Sequence, residues 1–118
     1  MILPISDVST RALQAALKGL DERQRVIADN VANVETPGFR AGVVNFEDSL
    51  RTALAEGSDV SDTTATVTSS QAPTRLNGNN VNLDMEMVAQ SESLLRTQLV
   101  VAALNSKYSM LRTAISGQ

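Results

Sequence analysis

Residues 94–115, LLRTQLVVAALNSKYSMLRTAI, carry the apolar pattern that decides the fold. The pattern extends back to Leu83 and Met87, and it predicts one helix over residues 82–116. At about 1.5 Å per residue this helix is on the order of 50 Å long, a length typical of bundles and filaments. Its stripe of apolar residues, spaced by three, four or seven, consists of Leu94, Val101, Leu104, Tyr108, Leu111 and Ile115.

The same helix carries more apolar residues than one stripe accounts for. A helix with a single partner is normally polar on its remaining faces. Two apolar faces indicate two neighbours, either in a bundle within the chain or on other chains. The chain has too few long helices for a bundle, so we expect neighbours from other chains. The additional apolar residues are Val88, Leu95, Leu99, Val100 and Met110.

A second long helix is predicted over residues 10–35. Ser9 or Thr10 is suited to cap its start, and Pro37-Gly38 is suited to end the helical segment. Gly19 lies within it, where it either permits the close approach of another helix or is simply tolerated. The apolar stripe of this helix consists of Leu13, Leu17, Leu20, Ile27, Val31 and Val34.

The middle of the chain differs from both ends. Residues 43–54 have apolar side chains four apart, which predicts a short amphipathic helix. Residues 55–80 are polar and predict a long loop, in which the β-branched residues 63–68 favour a weak strand. We therefore expect a mainly α fold, in which two long terminal helices form an antiparallel pair around a short helix and a long polar loop. Such a loop is expected to rest on a neighbour or to stay mobile.

Composition excludes several kinds of chemistry. The sequence has no Cys and no His, so disulfides, thiolates, Cys/His zinc sites and His-based catalysis are ruled out. Asp84 and Glu86 are two residues apart and do not share a helical face. Residues 77–84 are rich in oxygen ligands but lack the spacing of an EF-hand, and they predict a turn before a helix. We expect no enzyme activity, no cofactor, no metal and no small-molecule substrate.

Charge and hydropathy limit the partners further. The net charge is −3, and no basic stripe of the kind that binds nucleic acid is present. The sequence has no run of about 20 apolar residues, the length that a membrane span needs. Residues 1–8 do not resemble a cleavable secretory signal, since a basic region and a long apolar run are both missing. With only three aromatic residues, the chain is expected to bury little on its own and to become ordered on assembly.

The segment Asn30-Val-Ala-Asn-Val-Glu-Thr-Pro-Gly-Phe39 is more specific than a helix end and a turn require. It resembles the N-terminal motif of the flagellar axial proteins, the rod and hook family. That motif is Asn-x-Ala-Asn-x-x-Thr-Pro-Gly-aromatic. The residues that match it are Asn30, Ala32, Asn33, Thr36, Pro37, Gly38 and Phe39.

The C-terminal part resembles the same family. Residues 78–87, GNNVNLDMEM, are similar to the entry of the C-terminal helix in the B-type proximal rod proteins, and residues 107–117 are similar to its end. Within the family, the main alternative match is the C-type proximal rod protein. The resemblance implies one rod-type domain over residues 1–118. Its parts are an N-terminal helix (1–36), a turn, short helix and loop (37–81) and a C-terminal helix (82–118).

This resemblance implies a structural subunit of the proximal rod of the flagellar basal body. Members are exported by the flagellar type III apparatus without a cleaved signal, and they polymerise through terminal helices into a torque-transmitting shaft in the periplasm. The implied partners are further copies, the C-type rod protein, the E-type adaptor of the MS ring and the export apparatus. The two apolar stripes would pack between helices and between subunits.

Two alternatives remain open at this level. Phe46 and Leu50, an apolar pair four apart, form a candidate export signal, although a short helix docked on its neighbour explains the same spacing. A self-contained helical hairpin, acting as an adaptor or chaperone of the export system, would also have apolar stripes and no catalytic groups.

Overall fold

The chain folds into a long, flat molecule, whose Cα atoms extend over 64 × 27 × 14 Å. This computed structural model describes residues 3–117, excluding the side chains of residues 3–7 and 62. The predicted mainly α fold with long antiparallel terminal helices is confirmed. The elements are α1 (Leu3–Ala32), β1 (Gly42–Asn45), α2 (Glu47–Glu56), a 3₁₀ turn (Val60–Asp62), β2 (Thr66–Ser69) and α3 (Leu83–Ser116).

The first helix starts earlier and ends earlier than predicted. It begins at Leu3, so Ser9 and Thr10 lie inside it and the predicted cap is wrong, because a capping residue has non-helical backbone. It ends at Ala32 rather than near residue 35. The N–H of Asn33 still donates to Asp29 O at 3.1 Å, and the chain then turns through Thr-Pro-Gly, with Gly38 at φ +74°.

The last helix packs on α1 through a face rotated from the predicted stripe. Asn82 caps its start, since Asn82 Oδ1 accepts a hydrogen bond from the Met85 N–H at 3.2 Å. Ser93 and Leu104 are its buried residues, and Val100 is half-buried against the core. Leu104 therefore belongs both to the predicted stripe and to the observed contact face, whereas Ser93 belongs only to the latter.

The middle segment forms a small sheet where a helix was predicted. Residues 43–45 belong to β1, so the predicted helix over 43–54 is wrong for its first residues, and α2 begins only at Glu47. Strand β1 pairs antiparallel with β2, and Val44 lies opposite Val67. The strand predicted near residues 63–68 is thus present at Thr66–Ser69, and it gives the β-branched residues of β1 a hydrogen-bonding partner.

The core is small and lies between α1 and the sheet. Leu20, Val44 and Phe46 are buried together, and Phe46 is only 4% exposed. A Cβ atom at Gly19 would overlap the Phe46 ring. Gly19 is therefore required because the Phe46 ring packs closely against α1 at this position. The close neighbour is an aromatic ring rather than a second helix. No helix in the described part of the chain is long and apolar enough to span a membrane.

We predict that Gly19→Ala destabilises the protein although Ala favours helix. The added methyl group must displace the Phe46 ring, at a cost of about 2 kcal/mol, and the gain in helix propensity of about 1 kcal/mol only partly offsets it. Urea unfolding followed by circular dichroism measures the change. In a Phe46→Leu background, Gly19→Ala should no longer lower the free energy of unfolding, because Leu leaves room for the methyl group. An equal loss in both backgrounds would contradict the contact.

Candidate assembly surface and the junction that orients it

The two sequence motifs meet at one end of the molecule, through the buried side chain of Asn79. Its Nδ2 group donates to Asn33 O and to Thr36 O, both at 2.8 Å, and its Oδ1 accepts from the Val81 N–H at 2.8 Å. Asn79 is completely buried, so these bonds are shielded from water. The turn after α1 is thereby fixed to the segment that precedes α3.

The neighbouring side chain, Asn80, joins the same segment to the sheet. Its Oδ1 accepts from the Ala41 N–H at 2.7 Å, and its Nδ2 donates to Ser70 O and Ala72 O at 3.1 Å. Asn80 is also buried. Both buried amides therefore form hydrogen bonds with backbone groups of loops, which have no regular partners in a helix or a sheet.

Asn30, the first residue of the turn motif, connects three elements. Its amide exchanges two hydrogen bonds with the Gly42 backbone, at 2.9 and 3.0 Å, as a peptide group in a sheet does. The same Nδ2 group donates to Glu86 Oε1 at 3.1 Å. Asn30 thus joins α1 to β1 and to the first turns of α3, and it helps to orient α3 about its axis.

The other turn-motif residues shape the reversal itself. The Thr36 hydroxyl donates to Asn33 Oδ1 at 3.0 Å, and the Gly38 N–H donates to Asn77 O at 2.8 Å. A Cβ atom at Gly78 would lie 3.3 Å from the Gly38 Cα. The two turns therefore touch backbone to backbone. Ala32 and Pro37 are exposed, and Phe39 is half-buried.

The oxygen-rich segment before α3 has the structure of a turn and a helix start. Its amides are used for the hydrogen bonds given above, in agreement with the predicted turn before a helix. Among the described residues, no three acidic side chains gather in a way that could hold a metal ion.

Arg75 is a junction residue that the sequence did not point to. Its guanidinium group donates to Val81 O at 2.8 Å and also to Val34 O. Its importance depends on which carbonyls the fold brings near it, so no local pattern identifies it. The buried Asn79 and Asn80 carried a weak signal, because amide side chains flank the apolar Val81.

A charged cluster connects the three helices further along the molecule. Arg23 donates to both carboxylate oxygens of Glu47, at 2.6 and 2.7 Å, and Arg96 donates to Glu47 Oε2 at 2.8 Å. The Arg23 guanidinium also lies 4.8 Å from the centre of the Phe46 ring. The hydrogen bonds from Arg23, with the positive charge of Arg23 and Arg96, lower the pKa of Glu47 from 4.5 to about 2.

The surface of α3 that points away from α1 carries several exposed apolar side chains. We call Val88, Leu95, Leu99, Ala102 and Met110 the outer stripe; at 100° per residue they lie roughly opposite Leu104. Leu99 is 70% exposed, and the others are exposed as well. Exposed apolar surface that continues along a helix indicates contact with another molecule.

The predicted packing residues fall into two groups. Leu20, Ile27 and Leu104 are buried within the chain, and Leu13, Leu17, Val31 and Leu111 are half-buried. The others on α3 are exposed in the single chain, with Ile115 86% exposed. Their packing between subunits stays a prediction. This exposed group consists of Leu94, Val101, Tyr108 and Ile115.

The candidate export signal lies partly in the core. Phe46 is buried against Gly19, and Leu50 is half-buried in the first turns of α2. An export receptor could reach Phe46 only in an unfolded chain. The role of the pair in export stays a prediction.

The fold and this surface define an elongated helical protein with exposed apolar side chains along α3. The family model described as "Flagella basal body rod protein" matches residues 7–40. The chain is 30% identical over 117 residues to the flagellar basal body rod protein FlgB of Bacillus subtilis, covering 89% of this chain and 91% of that protein. It belongs to the flagellar basal body rod protein family, and the resemblance seen in the sequence is confirmed.

Other relatives have the same description. The FlgB protein of Escherichia coli K12 is 31% identical over 121 residues, which covers 86% of this chain and 88% of that protein. The FlgB protein of Salmonella typhimurium is 27% identical over 131 residues and covers 94% and 95%. The family is structural rather than enzymatic, and it belongs to the flagellar basal body.

We predict that acid weakens the fold through Glu47. Because its pKa is lowered in the folded chain, its contribution is complete above about pH 4.5 and is lost as the pH falls towards 2. Its side chain is one-third exposed, so solvent screening leaves about 1–2 kcal/mol. Urea unfolding at several pH values should show this slope. Glu47→Gln should reduce it, and Glu56→Gln, at an exposed position of the same helix, should not.

We predict that Asn79→Asp is far more harmful than Asn82→Asp. At position 79 a carboxylate would face the carbonyls of Asn33 and Thr36 without protons to donate, which costs about 3 kcal/mol or more. At position 82 the side chain only accepts a hydrogen bond, and Asp caps a helix as well as Asn does. Urea unfolding midpoints of the two variants test this. Equal losses would show that the donated bonds of Asn79 do not matter.

Proposed function

We propose that the chain is a structural subunit of the proximal flagellar rod, and that it polymerises through its terminal helices to build the torque-transmitting shaft. The observation that carries this proposal is the outer stripe of α3, an apolar surface on a helix that is already packed against α1. A helix of 34 residues without Gly or Pro, apolar on two faces, is suited to a stack of parallel elements.

The route to the rod is part of the proposal. The chain would be exported by the flagellar type III apparatus without a cleaved signal and would assemble in the periplasmic space. Its small core supports this view, because a chain that buries few large residues is unfolded at low cost. Gln24 Nε2 and Ser93 Oγ are buried without a hydrogen-bond partner, which weakens the fold further.

Neighbours in the rod would be further copies, the C-type rod protein and the E-type adaptor of the MS ring. A subunit that uses different surfaces towards its two neighbours generates an open helical array rather than a closed ring. The flat helical pair, with α2 and the sheet attached on one side, would present such different surfaces.

Secretion distinguishes this proposal from an adaptor or chaperone of the export system. In a strain that cannot complete the rod, a rod subunit should appear in the medium or the periplasm. A chaperone would stay in the cytoplasm, and that result would favour the helical-hairpin alternative.

We predict that Leu99→Asp abolishes swimming while leaving the folded monomer intact. A carboxylate on the outer stripe would be buried unpaired between subunits, and the side chain is exposed in the single chain. A host deleted for the gene should swim with the wild-type chain and not with this variant. Electron microscopy of isolated basal bodies should show that the rod is missing.

The matched control is Leu54→Asp, the same substitution at an exposed leucine of α2. It should retain swimming, and circular dichroism should show equal helix content for both variants. Normal rods built from Leu99→Asp would refute the role of the outer stripe. Normal swimming of the deleted host itself would refute the rod proposal.

A further inference from the structure

A cavity between α1 and α3, which we call the groove, lies on the side of the helix pair opposite the sheet. The sheet side of α1 is marked by Gly19, against which Phe46 packs. The groove holds a volume of about 490 Å³. Its walls include Leu17 and Leu20 of α1 and Leu94 and Thr97 of α3. The groove is therefore an apolar surface that no other part of the described chain covers.

The apolar side of the groove continues along α3. Val101 and Tyr108 follow Leu94 at intervals of seven residues, so they lie on the same side of the helix. Gln14, which also lines the groove, donates from its amide to the Tyr108 hydroxyl at 3.4 Å. Leu94, Val101 and Tyr108 are 50%, 40% and 44% exposed. Exposed apolar surface of this kind indicates a contact with another molecule.

The groove side and the outer stripe are two separate faces of α3. At 100° per residue, Leu94, Val101 and Tyr108 lie about 40–80° from Leu104, and the outer stripe lies about 160–240° from it in the same sense. The outer stripe is convex because it is the surface of one helix, and the groove is concave because it lies between two helices. Rows of side chains on one helix pack into grooves of this type.

The two faces also carry opposite charges that the single chain leaves unpaired. Glu92 lies four residues after Val88 and is its neighbour on the outer side of α3. Lys18 lies on the α1 rim of the groove. Neither Glu92 nor Lys18 has an ionic partner among the described residues. Asp21, on the same rim, is paired with Arg25 at 3.1 Å, so Lys18 gives this rim its net charge.

Two further charges of α3 follow the same division. Asp84 lies about 160° from Leu104, on the outer side, and Arg112 lies about 80° from it, on the groove side. Neither is in an ion pair within the part of the chain that the structure describes. The unpaired charges are thus acidic on the outer side and basic on the groove side, which makes the two faces electrostatically complementary.

We propose that the outer stripe of α3 packs into the groove of a second copy of this chain, with Glu92 of one copy beside Lys18 of the next. This inference rests on the proposed function and states which surfaces of the subunit meet. Because the contact joins two different surfaces, each copy keeps one of them free for a further copy. Such a contact generates an open array.

The position of Glu92 on the outer stripe sets the direction of the contact. Glu92 lies at one edge of the stripe, and Ala102 lies at the other. Because α-helices are right-handed, the Glu92 edge faces α1 of the second copy when the two α3 helices run parallel. With one α3 helix reversed, the same edge would face α3 instead, away from Lys18. The pairing therefore requires parallel α3 helices.

Contacts within the chain set the axial position. The side chain of Asn30 bonds to Glu86, and that of Gln14 bonds to Tyr108. Interpolation between these two contacts places Lys18 level with about residue 100 of α3. A shift of about eight residues, on the order of 12 Å, then brings Glu92 level with Lys18 of the second copy.

This shift keeps most of the outer stripe over the groove. Val88 comes to lie between the levels of Leu94 and Thr97 of the second copy, and Leu99 lies near the level of Tyr108. The outer-stripe residue that extends past the end of the second helix is Met110. The position of Leu99 agrees with the effect expected for Leu99→Asp.

Charge exchange in the gene-deleted host tests the pairing. Lys18→Glu and Glu92→Lys should each lower the number of complete rods per cell roughly tenfold, because like charges would meet at the contact. The variant with both substitutions should restore rods and swimming, since opposite charges meet again. Glu56→Lys, the same reversal at an exposed position of α2, should leave swimming unchanged and should not rescue Lys18→Glu.

The rescue is specific for a contact between copies. Among the described residues, no ion pair joins Lys18 to Glu92 within one chain. A double variant no better than either single variant would overturn the proposal. That result is expected if a different protein occupies the groove.

Disulfide cross-linking tests the two faces directly. The chain has no cysteine, so Val88→Cys/Leu94→Cys introduces the only thiols, one on each face. Residues six apart on one helix are about 10 Å apart, too far for a disulfide within the chain. After oxidation of cells with complete rods, a non-reducing gel should show a ladder beyond the dimer. Complete rods without this ladder would overturn the proposal.

The single variant Val88→Cys is the matched control. In the proposed contact Val88 faces the groove and not another Val88, so this variant should give no cross-linked dimer. A dimer would show that two outer stripes meet, and it would overturn the proposal. If the double-cysteine variant builds no rods, the charge exchange alone decides.

The proposal and the rod function on which it rests fail differently. If the wild-type gene restores swimming and rods to the deleted host but charge exchange gives no rescue, the contact is wrong and the rod function stands. If the deleted host swims normally, the rod function itself is wrong.

Discussion

The hydrogen bonds that Asn79 donates to the carbonyls of Asn33 and Thr36 hold the end of α1 against the start of α3. Few apolar residues are buried near this junction, so directed bonds from amide side chains do what a larger domain achieves by core packing. Asn30 extends the junction to Gly42 and Glu86. With one end of α3 fixed in this way, its rotation about its own axis is limited, and so is the choice of residues that face solvent.

That constraint explains how far the sequence could predict the long helices. Their existence and antiparallel pairing follow from periodicity, since burial of one face leaves a mark every three or four residues. Periodicity did not show which face of α3 packs against α1. Apolar residues occur all around this helix, so hydropathy could not show that Ser93, rather than Leu94, would be buried. The polar Ser93 is buried while Leu94 is exposed, because distant hydrogen bonds at the junction orient the helix.

The middle segment was harder to predict, for a different reason. Val43 and Val44 form a strand because β2 supplies a partner more than 20 residues away, which a local window does not include. Gly19 likewise has a meaning only in relation to Phe46, 27 residues further along the chain. The turn motif and the segment of residues 78–87 were both recognised from their residues, but the backbone groups to which Asn79 and Asn80 bond were identified only from the structure.

The uninterrupted length of α3 has a mechanical consequence. Helices bend sharply at prolines, at glycines or where the hydrogen-bond ladder is broken, and none of the 34 residues of α3 is Gly or Pro. A twist applied to one end is therefore passed to the other through covalent bonds and a continuous hydrogen-bond ladder. The sheet and α2 pack on α1, so they do not interrupt this path along α3.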